Sequence, residues 1–80
     1  MNLPEKIDAR WIDALSDEEL QSAEGELHAR FTKLDAAERQ TRGAAYDLLR
    51  GPEALTGAWM RWSMVSSAAR ARGLRVWNRR

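Results

Sequence analysis

Cysteine is absent from this chain of 80 residues, and histidine occurs once, at His28. The lack of cysteine excludes disulfides and thiolate zinc sites. Glu24 and His28 are four residues apart and would share one face of a helix, but two ligands do not make a metal site. We therefore expect no metal and no other cofactor. A chain this short buries only a thin core, so oligomerisation is the expected source of further stability.

Long apolar runs are also missing. The longest charge-poor stretch, 54–69, contains Arg61 and is shorter than the roughly 20 apolar residues that span a membrane. The N-terminus has no basic region followed by an apolar run, which a signal peptide would have. Together with the absence of cysteine, these features predict a cytoplasmic protein without a membrane span.

The residue patterns of catalysis are missing as well. The sequence contains no cysteine nucleophile, no Ser/His/Asp arrangement and no glycine-rich phosphate loop. The acidic cluster at Asp17, Glu18 and Glu19 is explained by the start of a helix. We therefore predict a non-enzymatic protein.

The residues that are abundant favour helices. Alternating β-branched runs are absent, and Ala, Leu, Glu, Arg and Gln predominate, which predicts an all-α fold. We expect a first helix over 3–14 with Asn2 as its cap. Ser16 and Glu19 have the spacing of a capping box, which predicts the start of a second helix.

The second helix has no strong stop before Gly51, which predicts about 34 residues and a length of roughly 50 Å. Gly43 is the expected place of a kink. A third helix should start at Pro52 and end near Gly73. The short joint makes the second and third helices an antiparallel hairpin. The first and third helices are expected to lie end to end along the second, in a flat layer.

Acidic residues are missing from the last part of the chain, 54–80. Residues 1–40 contain ten acids and five bases, whereas residues 41–80 contain two acids and eight bases. This division indicates a basic surface that meets a negatively charged partner. We assign 1–73 to one helical domain and 74–80 to a basic C-terminal tail.

Arginine matches the geometry of phosphate, and on one continuous helix four arginines would fall within a sector of about 60°. They are Arg61, Arg72, Arg75 and Arg79. Trp77, between basic residues, is suited to stacking on a base. The predicted contacts to DNA or RNA are Arg61, Arg70, Arg72, Arg75, Trp77, Arg79 and Arg80. A second explanation needs no partner, because the hairpin would bring these arginines toward acids of the second helix. The candidate acids are Glu24, Glu26, Asp35 and Glu38.

The apolar side chains are too numerous for one layer of helices to bury, and soluble monomers rarely expose large apolar patches. We therefore predict a homodimer in which two hairpins form a helical bundle. The predicted interface, with a second copy or another protein, contains Leu27, Phe31, Leu34, Trp59, Met60, Trp62, Met64 and Val65.

The sequence leaves two functions open. One is binding of nucleic acid through the basic end, and the other is an adaptor that docks a protein through the Trp/Met face or the acidic half. Binding to an anionic membrane surface is less favoured, because the basic residues are concentrated at one end of the third helix.

Overall fold

The computed structural model describes residues 3, 4 and 6–76, without the side chain of Leu49. Three α-helices occupy most of these residues, namely α1 at Ala9–Asp13, α2 at Asp17–Arg42 and α3 at Glu53–Ala71. Two 3₁₀ turns, Gly43–Ala45 and Leu48–Arg50, connect α2 to α3. The described ranges contain no strand, which confirms the predicted all-α fold.

The first helix is shorter than the sequence predicted. α1 begins at Ala9, because the Asp8 side chain accepts a hydrogen bond of 2.9 Å from the Trp11 N–H. Asp8 has the extended backbone of an N-cap (φ −136°, ψ 174°), so the helix does not continue to earlier residues. The predicted cap, Asn2, lies outside the described residues. The prediction of a helix over 3–14 is therefore wrong at its N-terminal side.

The start of α2 confirms the predicted capping box. The Glu19 N–H donates to Ser16 Oγ at 3.1 Å, and the Ser16 N–H donates to Glu19 Oε1 at 2.8 Å. The hydrogen bond from the Ser16 backbone lowers the pKa of the Glu19 carboxyl most. The hydrogen bond from the Ser16 hydroxyl lowers this pKa further. These local bonds fix the first turn of the longest helix.

The end of α2 differs from the prediction. The helix has 26 residues and ends at Arg42, so the expected continuation to Gly51 is wrong. Gly43 follows with φ 54° and ψ −123°, a conformation that residues with a Cβ atom rarely adopt. The glycine expected to kink the helix therefore terminates it.

The third helix begins at Glu53, with Pro52 at its N-cap, and its end confirms the role of Gly73. Gly73 has φ 77°, and its N–H donates to the Arg70 carbonyl at 2.9 Å. The Leu74 N–H donates to the Ala69 carbonyl at 2.9 Å, which completes a Schellman motif. Residues 74–76 are not helical, and Val76 is buried against the core.

α2 and α3 form the predicted antiparallel hairpin. Trp62 of α3 bonds to Glu24 in the first half of α2, and Arg72 after α3 bonds to Asp17 at the start of α2. Apolar residues from before α1, from the three helices and from after α3 form one core. The core contains Ile7, Ile12, Leu20, Ala23, Leu27, Trp62, Val65, Ala69 and Val76.

The segment before α1 lies alongside the hairpin. Leu3 and Ile7 line one groove together with Leu27 of α2 and Ala58 of α3. The N-terminal part therefore crosses between α2 and α3, and the predicted end-to-end arrangement with α3 is wrong. The physical reason is burial, because Ile7 and Ile12 join the core only from this position. No helix within the described ranges is both long and apolar enough to cross a membrane.

Candidate binding surfaces

Arg72 is a structural contact rather than an open phosphate ligand. Its Nη1 donates to the Leu15 carbonyl at 2.8 Å and to Asp17 Oδ1 at 3.1 Å. Its Nη2 donates to the Ile12 carbonyl at 3.1 Å. The guanidinium thus ties the end of α3 to the turn between α1 and α2. It supplies a donor to the Leu15 carbonyl and a second donor to the Ile12 carbonyl, which also accepts from the Leu15 N–H at 3.1 Å.

The other arginines on and after α3 have different surroundings. Arg61, Arg70 and Arg75 are exposed and form no ion pair among the described residues. Arg61 and Arg70 are nine residues apart, so they point to opposite sides of α3. Because α3 ends at Ala71, Arg75 does not continue the helical spacing of the arginines on α3. The single sector of arginines predicted for one continuous helix is therefore wrong. Trp77, Arg79 and Arg80 lie outside the described residues.

The acids predicted to pair with these arginines have other surroundings. Asp35 accepts from Arg39 at 2.9 Å, and Glu38 accepts from Arg42 at 2.7 Å, one turn later in α2. Glu24 accepts from the Trp62 indole, while Glu26 Oε2 is buried without a hydrogen-bond partner in the described part of the chain. The four acids therefore leave Arg61, Arg70 and Arg75 available for other contacts.

Trp62 is the centre of a buried polar and aromatic cluster. Its Nε1 donates to Glu24 Oε2 at 2.6 Å, and both residues are at most 8% exposed. The Phe31 ring stacks on the indole with centroids 5.5 Å apart, and the His28 ring meets it edge-on at 5.0 Å. Among the described residues there is no group of three side chains that could hold a metal ion. His28 therefore contributes to packing around Trp62.

The residues predicted for an interface separate into three groups. Leu27, Trp62 and Val65 are buried in the chain's own core. Phe31 and Trp59 pack against that core and stay partly exposed. The large hydrophobic side chains exposed within the described ranges are Leu34 at 37%, Met60 at 57% and Met64 at 41%.

Met60 and Met64 lie on the side of α3 that faces away from α2, which we call the outer face. Residues at alternating spacings of three and four form a line along it, and none of them is charged. They are Gly57, Met60, Met64, Ser67 and Ala71. This spacing is that of a helix–helix seam, in which small residues let two backbones approach. The sequence reasoning identified the two methionines but not the line.

A second surface is a groove of about 780 Å³ between the N-terminal segment, α2 and α3. Its lining residues are Leu3, Pro4, Lys6, Ile7, Leu27, Arg30, Leu34, Ala54, Ala58 and Arg61. Sequence reasoning did not identify Lys6 or Arg30. No local pattern could have done so, because the three cations of the groove come from three distant parts of the chain. We call this surface the basic groove.

Tyr46 anchors the connection between α2 and α3. Its hydroxyl donates a hydrogen bond to Asp35, and Arg39 lies over its ring at 4.2 Å. The bond to Asp35 raises the pKa of the Tyr46 phenol. Burial raises the pKa of Asp35, but the hydrogen bonds from Tyr46 and Arg39 outweigh it, so its pKa lies below the ordinary value of 3.8.

No protein-family model, curated protein or solved structure matches this chain. Its function therefore has to be inferred from its own surfaces.

Proposed function

We propose that the protein is a non-enzymatic homodimeric binding module whose subunits pair along the outer face of α3. The observation that carries this proposal is the exposure of Met60 and Met64, at 57% and 41%, on a line without charged residues. Exposed apolar patches on small soluble proteins often mark interaction sites. The chain is also short enough that a second copy would add substantially to its buried core.

The charges near the ends of the outer face favour an antiparallel pair. Glu53 lies at the start of α3, and Arg70 lies near its end. In a parallel pair each residue would meet its own copy, and like charges would repel. In an antiparallel pair the two copies of Glu53 lie at opposite ends of the contact, so this repulsion is absent.

The expected dimer is weak. The line from Gly57 to Ala71 is about 21 Å long at 1.5 Å per residue, and an interface of that length is at the small end of specific interfaces. We expect dissociation constants of about 10 µM or above. Sedimentation between about 1 and 500 µM should therefore show a concentration-dependent change from monomer to dimer.

Sedimentation of variants tests this arrangement. Met60→Glu with Met64→Glu should give a monomer at every concentration, because two carboxylates would be buried on each subunit. Ala29→Glu is the matched control, since Ala29 is exposed on α2 away from the outer face, and it should still dimerise. A purely monomeric protein at the highest concentration contradicts the proposal.

For the ligand of this module we propose a nucleic acid backbone, contacted by Arg70 and Arg75. Both side chains are exposed and form no ion pair within the described ranges. The Gln21 side chain donates to the Arg75 carbonyl at 3.3 Å, which ties the segment after α3 to the start of α2. A dimer would carry two such basic ends, and their binding to phosphates would depend strongly on salt.

Gel-shift assays on DNA and RNA at about 50 and 200 mM salt test the ligand. Arg70→Gln with Arg75→Gln should weaken binding, whereas Arg50→Gln, at the other end of the hairpin, should not. Substitutions are preferable to truncation, because truncation would remove the buried Val76 and the bonds of Arg72. Absence of binding at the lower salt concentration would leave the second candidate function, a protein adaptor. The partly exposed Trp59 and the exposed Met60 favour that candidate.

A further inference from the structure

The basic groove has an apolar floor and a cationic rim. Leu27, Ala58 and Ile7 close the base of the groove and are at most 8% exposed. Leu3 is half-buried at its edge. Leu34 is 37% exposed there, so apolar surface in the groove is accessible to a ligand. The groove therefore combines accessible apolar surface with the three cations described above.

The residues that line the groove include three cations and no acid. Lys6, Arg30 and Arg61 form no ion pair among the described residues, and none of the ten lining residues is acidic. Glu26 precedes Arg30 by one turn of α2 but does not line the groove. Three positive charges from separate parts of the fold thus face one opening, which favours an anion.

The size of the groove selects the kind of ligand. It extends from Leu27 to Leu34 along α2 and from Ala54 to Arg61 along α3, which is about 10 Å, or two helical turns. An isolated helix short enough to match these two turns is only marginally stable in water, so the groove is poorly suited to a partner helix. The volume instead lies in the range of small-molecule sites.

We propose that the basic groove binds a small single-chain anionic amphiphile, such as a medium-chain alkyl carboxylate. The carboxylate would accept hydrogen bonds from Lys6, Arg30 and Arg61. The alkyl chain would lie on the accessible apolar surface of Leu3 and Leu34. Charge-assisted bonds to arginine orient the head, and burial of the methylene groups supplies affinity. The site adjoins the outer face, because the Arg61 guanidinium lies beside Gly57. It uses neither Met60 and Met64 nor Arg70 and Arg75, so it does not rest on the proposed function.

Calorimetric titration of the full chain with octanoate, and with 1-octanol as the uncharged analogue, tests the proposal. We expect octanoate to bind with a dissociation constant of about 1 mM, and octanol to bind about tenfold more weakly. Arg30→Gln with Arg61→Gln should weaken octanoate binding about tenfold or more without changing octanol binding. Arg70→Gln is the matched control and should leave both unchanged.

A second variant tests the apolar side of the site. Leu34→Glu changes an exposed residue of the groove, so we expect the fold to persist, with circular dichroism as the check. It should weaken octanoate binding because it introduces a carboxylate beside the alkyl chain and the head group. No measurable binding of octanoate at about 10 mM would overturn the proposal. So would equal weakening by the groove variants and by Arg70→Gln, because that result indicates non-specific attraction to positive charge.

Discussion

The two ends of the α2–α3 hairpin are built in different ways. At one end, which we call the closed end, α2 begins and α3 finishes, and residues distant in sequence meet. Glu24 bonds to Trp62, and Arg72 bonds to Leu15 and Asp17. At the other end, which we call the loop end, α2 finishes and α3 begins. The ion pairs at the loop end, among the described residues, join residues three or four positions apart.

Burial follows the same division except at Leu55, which is 1% exposed at the start of α3 and packs beside Gly51. Leu20, Val65 and Ala69 at the closed end have no exposed surface, whereas Leu34 toward the loop end is 37% exposed. Surface ion pairs one turn apart stabilise a helix by a few tenths of a kcal/mol and do not hold two helices together. The comparison teaches that tertiary stability is concentrated at the closed end, while the loop end is held mainly by local contacts.

The strongest test compares two leucines of α2. Leu20→Ala should lower the free energy of unfolding by about 2–5 kcal/mol, because it opens a cavity in a fully buried site. Leu34→Ala should cost at most about 1 kcal/mol, because its side chain is exposed. Urea unfolding of both variants measures the difference. Equal losses would contradict the division between the two ends.

Removal of the indole N–H tests the buried polar contact of the closed end. Trp62→Phe retains an aromatic ring near Phe31 but removes the donor to Glu24, so we expect a loss of about 1–3 kcal/mol. Urea unfolding provides the value. Trp59→Phe is the control, because Trp59 is only partly buried. It should lower the free energy of unfolding by less than Trp62→Phe does. A Trp62→Phe variant as stable as the native chain would show that the hydrogen bond contributes nothing.

Arg72 and Arg70 distinguish a structural arginine from an exposed one. Arg72→Gln removes bonds to two carbonyls and to Asp17, and we expect it to cost about 1–2 kcal/mol. Arg70→Gln should change stability by less than about 0.5 kcal/mol. Thermal and urea unfolding of the two variants at equal protein concentration make the comparison. An equal effect at both sites would mean that the bonds of Arg72 are not needed to close the hairpin.

The smallest global effect is expected at the loop end. Tyr46→Phe removes the hydroxyl bond to Asp35, so amide hydrogens of residues 43–50 should exchange faster, while amides around Leu20 should not change. Hydrogen exchange followed by NMR gives both values. Faster exchange throughout the chain would show that the loop end also supports the core.

The same contact predicts a pH window. The pKa of Asp35 is lowered, so its ionised carboxylate contributes to stability above pH 3.8. This contribution is lost as the pH falls through the lower pKa of the folded state. The pKa of Tyr46 is raised, so its protonated hydroxyl contributes to stability below pH 10.0. This contribution is lost as the pH rises through the higher pKa of the folded state. Protection of residues 43–50 should therefore decline at both extremes, and it should do so less in the Tyr46→Phe variant.

Much of the secondary structure could be predicted from the sequence. The capping box of Ser16 and Glu19 starts α2, and Gly73 ends α3, because both signals act through bonds to residues three to five positions away. Gly43 was recognised as a weak point but not as a helix end. Asp8 was missed as a cap, because Asn2 offered the same chemistry six residues earlier.

The candidate surfaces could be predicted less well. Basic residues without nearby acids suggested one arginine surface, but helix ends and tertiary contacts divide it. Arg72 bonds within the chain, Arg61 joins the basic groove, and Arg70 points to the opposite side of α3. Counting charge along the sequence does not show which carbonyls lie within reach of a guanidinium.

The sequence by itself determined the helical class, the capping of α2, the glycine end of α3 and the antiparallel hairpin. The capping of α2 and the glycine end of α3 depend on short-range hydrogen bonds. The hairpin was predicted from a short joint at Gly51 and Pro52, but the observed connection already begins at Gly43. Tertiary structure alone decided that Glu24 meets Trp62 and that Lys6, Arg30 and Arg61 face one groove. These pairings join residues dozens of positions apart. They form because burial of the shared apolar core brings the N-terminal segment, α2 and α3 together.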